Sequence, residues 1–99
     1  MKIIIIGAGK VGYTLAESLS KENHDVTVID KRADVLEKVD NNLDVMCIRG
    51  SGVSTTVLHE AMIEDTDILI AVTESDEINM VCCLTGRTLG AKNTIARIR

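Results

Sequence analysis

The strongest constraint in this chain is the order of five features within its first thirty residues. Ile3-Ile4-Ile5-Ile6 is an unbroken β-branched run, the pattern of a strand buried on both faces. It leads directly into the glycine fingerprint Gly7-Ala8-Gly9-Lys10-Val11-Gly12. Val11, Leu15 and Leu19, with Ala16 beside them, then recur at helical spacing. A second apolar run, Val26-Thr27-Val28-Ile29, follows and ends on Asp30. Strand, glycines, helix, strand and acid in this order make a βαβ unit of the kind that binds a dinucleotide.

Each glycine has its own physical reason. Gly7 permits the turn that leaves the strand, because a Cβ there would resist the backbone angles required. Gly9 leaves the main chain bare, so a diphosphate can come close to its N–H groups. Gly12 lets the first helix pack hard against the strands. The phosphates would lie at the positive end of that helix, whose first N–H groups have no partner in the chain. Asp30 stands 18 residues beyond Gly12, about where an acid accepts hydrogen bonds from a ribose. The alternative is a glycine-rich turn that merely joins a strand to a helix; the complete set of flanking elements favours the binding unit.

Ninety-nine residues predict one domain, spanning 1–99, with a single core. Tyr13 is the only aromatic residue, so Ile, Val and Leu must fill the interior, which suits a parallel sheet covered by helices. A net charge of −4 argues against a general nucleic-acid or anionic-membrane surface. No apolar run approaches the length of a membrane span, and the Met-Lys start lacks a signal-peptide pattern. Cys47, Cys82 and Cys83 show no metal-binding or CxxC spacing and read as reduced, mostly buried thiols.

Along the rest of the chain, Lys21 to Asp25 forms a turn in which His24 is expected to be solvated. Lys31 and Arg32 open a second helix with Val35, Leu36 and Val39 inward. They read either as contacts to the adenosine end of a nucleotide or as ordinary surface charge. Asp30 would repel a 2′-phosphate and so favours NAD over NADP, an inference that the two neighbouring cations blunt. Asp44–Arg49 predicts a third strand, closed by Gly50-Ser51-Gly52, another strand-to-helix loop on the same sheet edge. Ser54 or Thr55 caps a helix carrying Val57, Leu58, Ala61 and Met62 inward. His59 has no catalytic partner at useful spacing and reads as structural or exposed.

Asp67–Val72 predicts a fourth strand, and Thr73, three residues before Asp76, predicts a capping-box start for the next helix. Glu74, Asp76 and Glu77 crowd that start, either to complement the helix dipole or to face the nucleotide. The helix carries Ile78, Val81, Cys82, Thr85 and Leu89, and Gly90 stops it. Thr94–Arg99 predicts a fifth strand, with Arg97 and Arg99 able to reach a phosphate or to blunt an exposed edge. The expected architecture is α/β, a Rossmann-like doubly wound parallel sheet ordered 3-2-1-4-5. Because the chain stops on a strand, it is expected to be a fragment of a longer protein, truncated after that strand.

The glycine fingerprint, Val28-Ile29-Asp30, Arg49-Gly50-Ser51, the stretch from Ala71 to Met80 and the closing Ile95-Ala96-Arg97-Ile98-Arg99 together resemble the N-terminal lobe of the TrkA/KTN family. These lobes are also called RCK domains. The resemblance covers the whole chain in register, and the Ser75-Asp76-Glu77 to Asn79-Met80 stretch and the closing strand carry it more than the glycines do. It implies a non-enzymatic cytoplasmic subunit, peripheral to the inner face of the plasma membrane. Such a subunit binds NAD or NADH, and in some relatives ATP or ADP, and gates a membrane potassium translocator of the Trk or Ktr type.

By position, the resemblance assigns Gly7, Ala8, Gly9, Lys10, Val11 and Gly12 to the diphosphate and Asp30, with Lys31 beside it, to the ribose. Ser51, Thr73, Glu74 and Arg97 border the nucleotide. Many relatives carry Gly-Asp where this chain has Gly50-Ser51, so an acid-dependent contact there is lost. Self-association into a homo-oligomer is expected from exposed edges. NAD and NADH differ by one charge on the nicotinamide, and the acids Glu74, Asp76 and Glu77 are candidates to sense it. The competing reading is the cofactor half of an NAD(P)-dependent dehydrogenase, which would share every feature up to Asp30. Its catalytic groups would have to lie beyond Arg99, because no acid/base constellation occurs here.

Overall fold

The isoleucine run forms the middle strand of the molecule, β1 (Lys2–Ile6), and its side chains alternate between two cores. Ile3 and Ile5 face one helical layer and Ile4 and Ile6 the other, and none is more than 2% exposed. Burial of each such side chain contributes about 2 kcal/mol, so this strand demands cover on both sides. The computed structural model describes every residue from Met1 to Arg99.

The remaining strands are β2 (Asp25–Asp30), β3 (Met46–Arg49), β4 (Ile68–Ala71) and β5 (Asn93–Ala96). All pair in parallel, in the order β3-β2-β1-β4-β5, the sheet of a Rossmann-like fold. The first helix, α1 (Lys10–Lys21), and the second, α2 (Ala33–Asn42), bury Ala16, Leu36 and Val39 on one face. The opposite face is covered by α3 (Thr55–Glu60), a short 3-10 turn (Ile63–Asp65) and α4 (Asp76–Leu89). Successive strands run outward from β1 to β3, and the chain then returns to place β4 on the other side of β1. The loops leaving β1 and β4 therefore diverge to opposite faces and open a crevice at the carboxyl ends of the strands.

Several local expectations are corrected. Met62 is exposed rather than inward: α3 ends at Glu60, Met62 takes a left-handed backbone (φ 62°), and Ile63 fills the core in its place. The inner face of α4 consists of Asn79, Cys82 and Gly86, whereas Ile78 and Val81 are 40% and 48% exposed. The reason is close approach, since a Cβ on Gly86 would lie 2.7 Å from Leu69 Cδ1. The helix meets β4 through its smallest residues. Ser75, not Thr73, caps α4, accepting from the Ile78 amide at 3.2 Å. Gly90 ends it with φ 129°.

β3 starts at Met46 rather than Asp44, and β5 stops at Ala96, so Arg97 to Arg99 lie past its end. α2 begins at Ala33, which leaves Lys31 and Arg32 in the loop before it. His24 is half-buried rather than solvated, its Nδ1 3.2 Å from the amino terminus. All three cysteines are free thiols, with Cys82 buried and Cys47 and Cys83 half-buried.

Candidate functional site

The crevice at the carboxyl ends of the strands is a cleft of about 700 Å³, within the usual range for small-molecule sites. Each strand contributes residues at its carboxyl end: Gly7, Gly9, Lys10 and Val11 beyond β1, Asp30 at the end of β2 with Lys31 and Arg32, Gly50 to Val53 beyond β3, Val72 to Ser75 beyond β4, and Arg97 and Arg99 beyond β5.

Its floor is main chain. Gly7 adopts φ +109°, and a Cβ on it would stand 3.0 Å from the backbone of Val72 and Thr73. A Cβ on Gly12 would fall 1.8 Å from the Gly7 carbonyl oxygen, so α1 can sit this close only through a glycine. Gly9 is different. A Cβ there would meet nothing nearer than Arg32 Nη2 at 3.8 Å, so its surface is open. The N–H groups of Gly9, Lys10, Val11 and Gly12 donate to no group in the chain, and no side chain caps this helix. Four free donors at the positive end of a twelve-residue helix beneath an open glycine form an anion cradle.

Asp30 is buried at the edge of the cleft. Its Oδ2 accepts from the Ala8 amide at 2.8 Å and its Oδ1 from the Arg32 amide at 2.8 Å. The Arg32 guanidinium adds a two-pronged bond to the same carboxylate, each contact 3.1 Å. Burial pushes this carboxyl up, but the hydrogen bonds from Arg32 and Ala8 outweigh it and hold the group below the usual carboxylate range.

The opposite wall is organised by Asn79, which sequence reasoning missed. It is fully buried, and its Oδ1 accepts from both the amide and the hydroxyl of Thr73, at 2.8 and 2.7 Å. Its Nδ2 donates to the Thr73 carbonyl and to the Arg97 carbonyl. The signal was a polar residue in the stripe Asn79, Cys82, Gly86, at the spacing of one helix face.

Of the residues expected in the site, Gly7, Gly9, Lys10, Val11, Asp30, Lys31, Ser51, Thr73, Glu74 and Arg97 line the cleft. Ala8 and Gly12 stand behind it, the first through its amide on Asp30 and the second through its contact with Gly7. Among the three acids near α4 only Glu74 lines the cleft. Asp76 accepts from the Arg99 amide, and Glu77 accepts from the Ser75 hydroxyl. Arg32 and Arg99 complete a lining of five cations (Lys10, Lys31, Arg32, Arg97, Arg99) and two acids (Asp30, Glu74). Net charge conceals this: the chain is acidic, yet its cleft is cationic, which suits a ligand carrying several negative charges.

Sheet order, glycine floor and cleft together define a Rossmann-type domain, with its pocket at the position where such sheets take ligands. The family model for the TrkA-N domain matches residues 3–99, and the chain belongs to that family. It is 50% identical, over its full length, to the Trk system potassium uptake protein TrkA of Halomonas elongata, of which it spans 22%. Among solved structures, the GsuK channel bound to NAD superposes with a TM-score of 0.77 at 26% identity, over 90% of this chain and 16% of the channel chain. The Kef C-terminal domain of Shewanella denitrificans, in AMP-bound form, gives a TM-score of 0.79 at 15% identity, over 96% of this chain and 57% of that one, a likeness of fold. No helix is long and apolar enough to cross a membrane.

Proposed function

We propose that this chain is the nucleotide-binding regulatory part of a Trk-type potassium uptake system, with NAD or NADH as its ligand and ATP or ADP as the nearest alternatives. The observation that carries the reading is the run of four undonated amides from Gly9 to Gly12 under an open cleft that ends at a buried acid. The residues present fit the ligand. The amides and Lys10 would hold a diphosphate, Asp30 the ribose diol, and Arg97 a phosphate oxygen, with Ser51 and Thr73 donating from the walls. The name of the Halomonas relative and the NAD held by the GsuK channel support the same reading.

The role is regulation without catalysis. A nucleotide would favour one arrangement of the assembled subunits over another by its difference in affinity for the two, and a membrane translocator in contact with the assembly would respond. Binding to that partner would place the chain at the cytoplasmic face of the membrane, in a homo-oligomer. Calorimetric titration with NADH, NAD, ATP and ADP tests the ligand. Saturable heat from NADH or NAD is expected, and no heat from any of the four would refute the reading. Potassium flux through the reconstituted system, measured with and without the ligand that binds, tests the gating.

A further inference from the structure

The glycine loop has two sides. One faces the cleft, and behind the other, between α1 and α2, lies a second groove of about 410 Å³. Gly9 and Lys10 border both cavities, so the loop is the partition between them. The groove also takes Tyr13 and Thr14 from α1 and Val35 and Lys38 from α2. No acid borders it, although the chain carries 15 acids against 11 lysines and arginines. Lys10 and Lys38 form no ion pair with any carboxylate of the chain. Tyr13, the only aromatic residue, is half-buried against the core, and Lys38 Nζ stands 5.5 Å from the centroid of its ring. That contact pre-organises one ammonium group at the groove. The Thr14 hydroxyl is already engaged, donating to the Lys10 carbonyl at 2.9 Å, which leaves the Tyr13 hydroxyl as the neutral side-chain donor.

We propose that this groove is a second ligand site, one that takes a phosphate monoester. The phosphate lies between the ammonium groups of Lys10 and Lys38, with the Tyr13 hydroxyl donating to it. A water takes up about 30 Å³ of the liquid. The groove therefore has room beyond a bare phosphate, and Val35 offers the attached organic group an apolar wall. Because Lys10 serves both cavities, a guest here draws one cation from the cleft and weakens a polyanion bound there. That coupling rests on the nucleotide reading above, whereas occupancy of the groove does not.

The test uses phenyl phosphate as the probe, followed by the ring resonances of residue 13, which need no nucleotide. The shifts should saturate in the wild-type chain and require about tenfold more probe in Lys38→Gln. Tyr13→Phe keeps the ring and should cost about threefold. Shifts that do not saturate, or that ignore Lys38→Gln, overturn the proposal. Lys38 does not border the cleft, so NADH should bind the wild type and Lys38→Gln alike. Saturating NADH should weaken the probe about fivefold, and the probe should weaken NADH equally. Independent binding would deny Lys10 its shared role, and complete exclusion would place the probe in the cleft; either overturns the proposal. Groove occupancy in a chain that binds no nucleotide upholds the site and refutes the nucleotide reading instead. Co-sedimentation with phosphatidylcholine vesicles, with and without phosphatidic acid, identifies the source of the ester. Capture that depends on Lys38 assigns it to a lipid headgroup, and no capture assigns it to a soluble metabolite.

Discussion

The side-chain amide of Asn79 donates to the carbonyl of Arg97 across 2.9 Å, although 18 residues separate the two in the chain. The same side chain holds the amide, hydroxyl and carbonyl of Thr73. One buried residue thereby fastens the exit of β4 to the exit of β5, and both exits are walls of the cleft. Arg99 reinforces the link, its amide reaching Asp76 at 3.3 Å and its guanidinium the Glu74 carbonyl.

Asn79→Ala should cost about 2 kcal/mol, because it leaves the part-buried Thr73 amide and the Thr73 and Arg97 carbonyls without their partner. It should also weaken nucleotide binding by loosening Thr73 and Arg97. Urea denaturation and a parallel titration measure the two effects. A loss of under about 1 kcal/mol would mean that water takes over these contacts and that Asn79 is not the fastening.

Gly12→Ala and Gly9→Ala should fail in opposite ways. At Gly12 the added methyl collides with the Gly7 carbonyl, main chain against main chain, so the fold should lose roughly 3 kcal/mol or more. At Gly9 the methyl enters open space, so the melting temperature should hold while the diphosphate is kept from the amides. Thermal melts and NADH titration of both variants check the contrast. Equal effects of the two variants on stability would contradict it.

Glu74 should sense the charge of the nicotinamide alone among the three acids near α4. A unit charge at the rim of a cleft is worth on the order of 1 kcal/mol, so Glu74→Gln should lower the ratio of NAD to NADH affinity by about fivefold. Asp76→Asn and Glu77→Gln should leave that ratio alone, because their carboxylates are engaged by Arg99 and Ser75. Titrating each variant with both ligands decides the matter.

Acid should destabilise the chain from about pH 4 downward. Burial works to raise the Asp30 carboxyl, but its bonds to Arg32 and Ala8 prevail. The Lys2 amide, 2.8 Å away, and Lys92 hold Asp67 low, and His59 does the same for Glu64. A carboxyl depressed by folding stays charged in the native state while the unfolded chain is already taking up protons. Its stabilisation is complete above the ordinary value near about 4 and is lost as pH falls through the lower, native value. Urea midpoints should be flat from about pH 7 to 5 and fall below about 4, and Asp67→Asn should flatten that fall. A midpoint that held steady to about pH 3 would count against the assignment.

The thiols should be slow to react while the chain is folded. Burial, with a smaller contribution from Cys83, pushes the Cys82 thiol up to about 11, and burial raises Cys47 and Cys83 as well. Since the thiolate is the reactive form, iodoacetamide at about pH 8 should label the native chain slowly and all three sites rapidly in denaturant. Intact-mass spectrometry follows the labelling.

The sheet and its order were legible because the Ile3–Ile6 run and the glycine turn admit few other solutions. The cradle was legible for the same reason, as its parts are contiguous in sequence. The wall was not. Asn79 acts through Thr73 and Arg97, and nothing local to residue 79 announces a bond to residue 97. The inner face of α4 was not legible because periodicity points to large aliphatic residues, whereas this helix approaches β4 through Gly86. The engagement of Asp30 by Arg32 was hidden by their adjacency, since neighbouring charges read as surface until burial distinguishes them.

The division between main-chain floor and side-chain walls has an evolutionary corollary. Gly7 lies against the Val72–Thr73 backbone and Gly12 against the Gly7 carbonyl, main chain on main chain in both cases, so no compensating substitution can restore either contact once a methyl intrudes. The side chains to which the nucleotide reading gives the choice of ligand, Arg32, Ser51 and Glu74 among them, hang from loops. On that reading, a lineage built on this chassis is free to exchange its preferred effector by drift at the rim, while the main-chain floor stays frozen.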